Sequence, residues 1–252
     1  MTYKILAIGV ISLSLIVCAS TQSRIEKKNE QDPQYQYNVA LVYLQNDNYE
    51  EAIKYLDKSL ALKPNFDMAL NALGIIYFIQ GDFQIARDYF EKCLAVNPSL
   101  TEAHNYLGSV YQELGLLDKA EIEYKKAITD ETYLSRELPY YNLARLNLTR
   151  GNEEEALKLV NSALELNSQM VMALNLKGVL LERSGKLEEA IFNYEKALKI
   201  LPGDINLSYN LAVAYFKSDR RAEAKSLFEK IYSQVTDEDI KSKIDEYLEV
   251  LK

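Results

Sequence analysis

One histidine, two cysteines and two short runs of glutamate are the side chains of this 252-residue sequence whose types could support chemistry. His104 has the chemistry of a general base or a metal ligand, but either role needs partners. No Ser/His/Asp arrangement, metal-ligand spacing or phosphate-binding glycine loop accompanies it. Cys93 has no second thiol to pair with once Cys18 is assigned to the leader described below, so it is expected to pack rather than react. Glu153-Glu154-Glu155 and Glu188-Glu189 stand just ahead of Ala156 and Ala190, early in their helices, where the helix dipole favours acid. No enzyme activity, cofactor or metal is therefore expected. The formal net charge is −8, without a basic patch, which argues against nucleic acid as a partner. What remains is binding by shape.

The elements that would carry such a surface recur along the chain. Leu70, Leu73, Gly74 and Tyr77 fall on one face of a first helix, Gly81-Asp82 breaks it, and Ala86, Phe90 and Cys93 line a second helix that Pro98 closes. The small residue of the second helix returns as Ala52, Ala86, Ala120, Ala156, Ala190 and Ala224, at spacings of 34, 34, 36, 34 and 34. Ala40, Gly74, Gly108, Ala144, Gly178 and Ala212 keep the same step in the first helix. His104 falls at the aromatic inward position of the third copy, which predicts a core residue. Tyrosine serves as the large filler, with 19 Tyr, 7 Phe and no Trp in the chain. Turn glycines mark four of the six hairpins, and Pro64, Pro98 and Pro202 end three repeats.

This pattern resembles the tetratricopeptide repeat (TPR), which reads aromatic-x2-Leu-Gly-x2-Tyr, then Ala-x3-Phe, then Pro. Neither helix of a hairpin can bury its apolar stripe alone, so neighbours must stack. The expected fold is all-α, a right-handed superhelix of six hairpins over residues 34–234. The repeats run over 34–66, 67–100, 101–136, 137–170, 171–204 and 205–234. Residues 237–252 form a capping helix, with Ile240, Ile244, Leu248 and Leu251 in a stripe. The fourth repeat is displaced by two extra residues within Thr129 to Pro139, a lengthened surface connection that could also be a docking feature.

The first residues differ in kind. Lys4 precedes thirteen residues without formal charge, Ile5 to Val17. That is short of the roughly 20 apolar residues a membrane span needs, and a secretory signal over residues 1–17 fits better. Leu15-Ile16-Val17-Cys18 resembles a bacterial lipoprotein box, which implies a diacylglyceryl group on Cys18 and cleavage just ahead of it. By the same resemblance to Gram-negative lipoproteins, Ala19 implies sorting to the outer membrane, facing the periplasm. The other reading is plain secretion with cleavage after Ser20, giving a soluble secreted or periplasmic protein. Residues 18–33 then read as a polar tether, on the order of 20 Å long if flexible.

In stacked TPR hairpins the first helices line the groove, and the TPR pattern gives its residues. They are Tyr37, Leu41 and Leu44 in the first repeat, Met68, Asn71, Ile75, Phe78 and Ile79 in the second, and Asn105 in the third. The apolar members form a patch suited to a helix or strand of a partner, whose backbone Asn71 and Asn105 could hydrogen-bond. Lysine and arginine are missing from these positions, which excludes the clamp that some TPR domains close on a terminal carboxylate. A second apolar set, Tyr209, Val213 and Phe216, is expected under the capping helix.

Taken whole, the leader, the six repeats and the lengthened mid-array run Ile128 to Leu148 resemble the type IV pilus biogenesis and stability lipoproteins, the pilotins of the pilus secretin. The resemblance implies a non-enzymatic, lipid-anchored protein that binds secretin subunits and promotes their outer-membrane localisation and assembly. The alternative is a general envelope TPR scaffold that recruits cell-wall or outer-membrane assembly proteins.

Overall fold

The computed structural model describes residues 30–252, and every regular element among them is a helix. In order these are α1 (Pro33–Leu44), α2 (Tyr49–Leu62), α3 (Asp67–Gln80), α4 (Phe83–Val96), α5 (Thr101–Glu113), α6 (Leu117–Thr129) and α7 (Glu137–Thr149). There follow α8 (Glu153–Leu166), α9 (Val171–Arg183), α10 (Leu187–Ile200), α11 (Ile205–Lys217), α12 (Arg221–Tyr232) and α13 (Glu238–Val250). The expected leader, Cys18 and the tether as far as residue 29 lie outside the described residues. At the tether's end, the Asp32 carboxylate already caps α1, accepting from the Gln34 N–H at 2.9 Å, and Pro33 opens the helix. No described helix is long and apolar enough to cross a membrane.

The described residues divide into two compact units, 30–116 and Leu117–Lys252. The division falls between α5 and α6, inside the third repeat rather than at a junction between repeats. In the first unit α1 packs on α2 and α3 on α4, and α2 meets α3 as α4 meets α5. One core cluster runs through the first of these contacts, joining Ala40, Ala52, Leu56, Phe66, Ala69, Ala72, Leu73 and Ile76. Burying Leu56, Phe66, Leu73 and Ile76 contributes about 1.5–3 kcal/mol each. No isolated hairpin could bury them all, because the cluster draws on α1 and α2 of one hairpin and on α3 of the next.

Small residues set how close the helices come. A Cβ built on Gly74 would stand 2.7 Å from Cε1 of Phe90, and one built on Gly178 would clash with Cε1 of Tyr194. The hairpin turns share one device. Gly81 has φ +82°, its N–H reaches the Phe78 carbonyl at 3.1 Å, and the Asp82 N–H reaches that of Tyr77 at 2.9 Å. The first and last hairpins place Asp47 (φ 53°) and Asp219 (φ 61°) at the same left-handed position.

In the second unit the helices pair as α7 with α8, α9 with α10 and α11 with α12, and α13 closes the series on α12. As expected, Tyr209, Val213 and Phe216 are covered there. Ile240, Ile244, Leu248 and Leu251 share one cluster with them, and the Tyr247 ring meets Phe216 edge-on and stacks on Phe228, both at 5.0 Å. The lengthened connection between α6 and α7 is held by Asp130, which accepts from the Thr132 N–H and hydroxyl at 2.9 and 2.6 Å. At its tip Leu134 is 98% exposed.

Candidate functional site

All nine residues expected in the groove belong to the first unit. On α1, Tyr37, Leu41 and Leu44 follow at i, i+4 and i+7 and share a face. Each is half-buried. The Tyr37 ring meets Phe66, which precedes α3, edge-on at 5.5 Å. Burial, with the nearby charges of Glu102 and Asp67, pushes the Tyr37 hydroxyl up from its ordinary pKa. Tyr37 thus lies near acidic residues of both α3 and α5.

On α3 the expected residues separate by exposure. Met68 is 40% and Ile79 56% exposed, whereas Ile75 and Phe78 are half-buried. Phe78 is flanked by two rings, Phe83 and Tyr106, each at 5.8 Å. Tyr106 in turn stacks on Phe90, the ring that fills the space over Gly74. Phe78 therefore forms the floor of the groove and Ile79 its free apolar edge.

The two asparagines are placed differently from the expectation that they reach a partner's backbone. Asn71 is 7% and Asn105 5% exposed. The Asn71 amide donates to Glu102 Oε2 at 2.8 Å, while its own Oδ1 is buried with no hydrogen-bond partner among the described residues. Glu102 escaped the sequence reading, although it sits one repeat, 34 residues, after Met68 and so at an identical position on its helix. Asp67, also unforeseen, accepts from the Asn97 side chain at 2.7 Å, and its carbonyl accepts from the Cys93 thiol at 3.3 Å.

Cys93 is fully buried, and burial, assisted by Asp67 and Glu102, pushes its thiol up to about 12. Such a thiol is a packing residue, inert at neutral pH. His104 is 8% exposed, with Nε2 2.9 Å from the Pro98 carbonyl, as a core position demands. Among the described residues no group of three or more His, Cys, Asp or Glu side chains could hold a metal ion.

Comparison with known proteins agrees with this architecture. A tetratricopeptide repeat model matches residues 31–99 and 65–130, and the model of the tetratricopeptide repeat protein 21 C-terminal ARM domain matches 129–244. Anaphase-promoting complex subunit 7 of Homo sapiens is 34% identical over 77 residues, which is 31% of this chain but only 14% of that protein. The structure of pilF from Pseudomonas aeruginosa superimposes with a TM-score of 0.79 at 18% identity, covering 86% of this chain and 98% of that one. PilW, described as a widely conserved type IV pilus biogenesis factor, gives 0.74 at 16% identity, covering 80% and 92%. At these identities the two likenesses are of fold. With the repeat register, the turn geometry and the matching models in agreement, the chain is a tetratricopeptide-repeat protein.

Proposed function

We propose that this protein is a lipid-anchored pilotin, which binds a type IV pilus secretin through the groove of its first unit and promotes the secretin's localisation and assembly in the outer membrane. The observation that carries the reading is the apolar surface formed by Met68, Ile75, Phe78 and Ile79 beside Leu41, on helices that hold no catalytic constellation. Two further features support it. The fold extends over nearly the whole of pilF and PilW, and Cys18 follows Lys4 and a thirteen-residue uncharged stretch of the kind that directs lipidation. In this account the acyl chains hold the protein at the membrane, and the groove gathers secretin subunits there, raising their local concentration for ring assembly.

A second reading, a general envelope scaffold for cell-wall or outer-membrane assembly proteins, is favoured by one observation. The 34% identical stretch lies in a subunit of a different assembly, so a repeat sequence of this kind does not by itself select a secretin. The test is genetic and biochemical. Cells lacking the protein, or carrying Cys18→Ser, should lose secretin from the outer-membrane fraction and recover it with the intact gene. Unchanged secretin in both strains would remove the pilotin reading and leave the scaffold.

A further inference from the structure

Charge is sorted between the faces of the first unit. Its lysines and arginines among residues 30–116 are Lys54, Lys58, Lys63, Arg87 and Lys92, all on α2, on α4 or in the connection after α2. The groove helices α1, α3 and α5 carry none, and their charged residues are Asp67, Glu102 and Glu113. Asp67 and Glu102 are both half-buried. Each accepts one amide hydrogen bond, from Asn97 and Asn71 respectively, and neither has an ion pair among the described residues. Lys63, on the connection into α3, is turned onto the Phe66 ring at 4.5 Å. The buried Asn71 Oδ1 adds another acceptor without a donor.

A carboxylate partly withdrawn from water and left without a cation is a standing cost, which a partner's ammonium or guanidinium group relieves. We infer that this groove takes a cationic amphipathic segment of a protein partner, with apolar side chains against Met68, Ile75 and Ile79 and a lysine or arginine against Glu102 and Asp67. This rests on the groove reading above and adds the chemistry of the bound segment. The charge pattern is the reverse of a carboxylate clamp. It predicts association that is steered electrostatically and weakened by salt.

The test uses the full chain in detergent and two synthetic amphipathic peptides followed by fluorescence anisotropy. Both carry the same leucines at helical spacing, one flanked by Lys and Arg and the other by Glu. The cationic peptide should bind at least tenfold more tightly, with the difference shrinking between about 50 mM and 500 mM salt. Glu102→Lys should weaken it tenfold or more and Glu102→Gln by less. Asp88→Lys, the same change of net charge on an exposed site of α4, should stay within twofold of the parent. Matching thermal melts would show that the variants fold.

Equal or tighter binding of the acidic peptide, or binding unmoved by Glu102→Lys, overturns the inference. If Ile79→Ser still weakens both peptides in that case, the apolar groove stands and only the charge assignment falls. If Ile79→Ser is also silent, the groove reading falls with it.

Discussion

The Phe90 ring lies where a Cβ of Gly74 would be, and the same ring stacks on Tyr106, which meets Phe78 in the floor of the groove. A backbone approach inside the second hairpin therefore sets the position of the groove floor. The other hairpins show the trade in volume. Ala40 shares a cluster with Leu56, and Ala144 with Val160, so the extra methyl is matched by a smaller opposing side chain. The sixth keeps both Ala212 and Phe228, and there Phe228 stacks on Tyr247 of the capping helix.

From this relationship, Gly74→Ala should destabilise the protein by about 1–3 kcal/mol, because Phe90 is fully buried and has no free direction in which to move. Phe90→Leu alone should also cost stability, through the cavity it leaves. The double variant, which copies the Ala40 and Leu56 pair, should cost less than the sum by about 1 kcal/mol. Denaturant midpoints of the four proteins measure the coupling, and strict additivity would contradict the account.

The turns give a second prediction. Gly151 has φ +79°, and Gly151→Ala should cost about 1 kcal/mol from the left-handed penalty alone. Asp219 occupies the corresponding place at φ 61°, so Asp219→Gly should be neutral or slightly stabilising, despite losing the Arg221 contact at 2.9 Å. Thermal unfolding compares the two, and the same sign for both would be inconsistent with a shared turn geometry.

Alkali should weaken the second unit. Burial, and then the hydrogen bond that the Tyr215 hydroxyl donates to Glu195 Oε1 at 2.7 Å, push that phenol from 10 up to about 12. Tyr194 is displaced upward as well, mainly by burial. A raised folded value favours the neutral phenol, so this stability is complete below pH 10 and is lost as pH climbs through about 12. Melting temperatures should therefore drop in that window, and less so in Tyr215→Phe. A drop beginning near pH 8 would assign the loss to another group.

The Cys93 thiol, at about 12, should be silent to alkylation at pH 8 in a Cys18→Ser protein and should react fully once denaturant opens the core. Rapid labelling of the native protein would show the second hairpin to be looser than described.

The hairpin series was legible because its signal is periodic: Ala86 and Phe90 lie in step with Ala120 and Tyr124, and the same register placed His104 and Cys93 in the core. Less legible was anything that depends on contact between hairpins. The helical period puts Phe78 on the groove face, but part of its cover comes from Tyr106, which lies on a different repeat. Asn71 fits the groove pattern too, yet its side chain is committed to Glu102 across the gap from α3 to α5. Asp47 and Asp219 carried a recoverable signal. They stand in step with Gly81 and Gly185, so the register itself marks them as turn residues that tolerate a left-handed backbone.

If the apolar face of the first unit captures a pilus secretin, site-specific photocrosslinking in living cells will trap the two together. Ile79 is the residue to replace with the photoreactive amino acid, since it is 56% exposed and Phe78 is held between two rings. One dominant adduct is expected, identified by mass spectrometry as an outer-membrane secretin and diminished by Glu102→Lys. A spread of cell-wall enzymes with no secretin among them, or no adduct at all from Ile79, would contradict it.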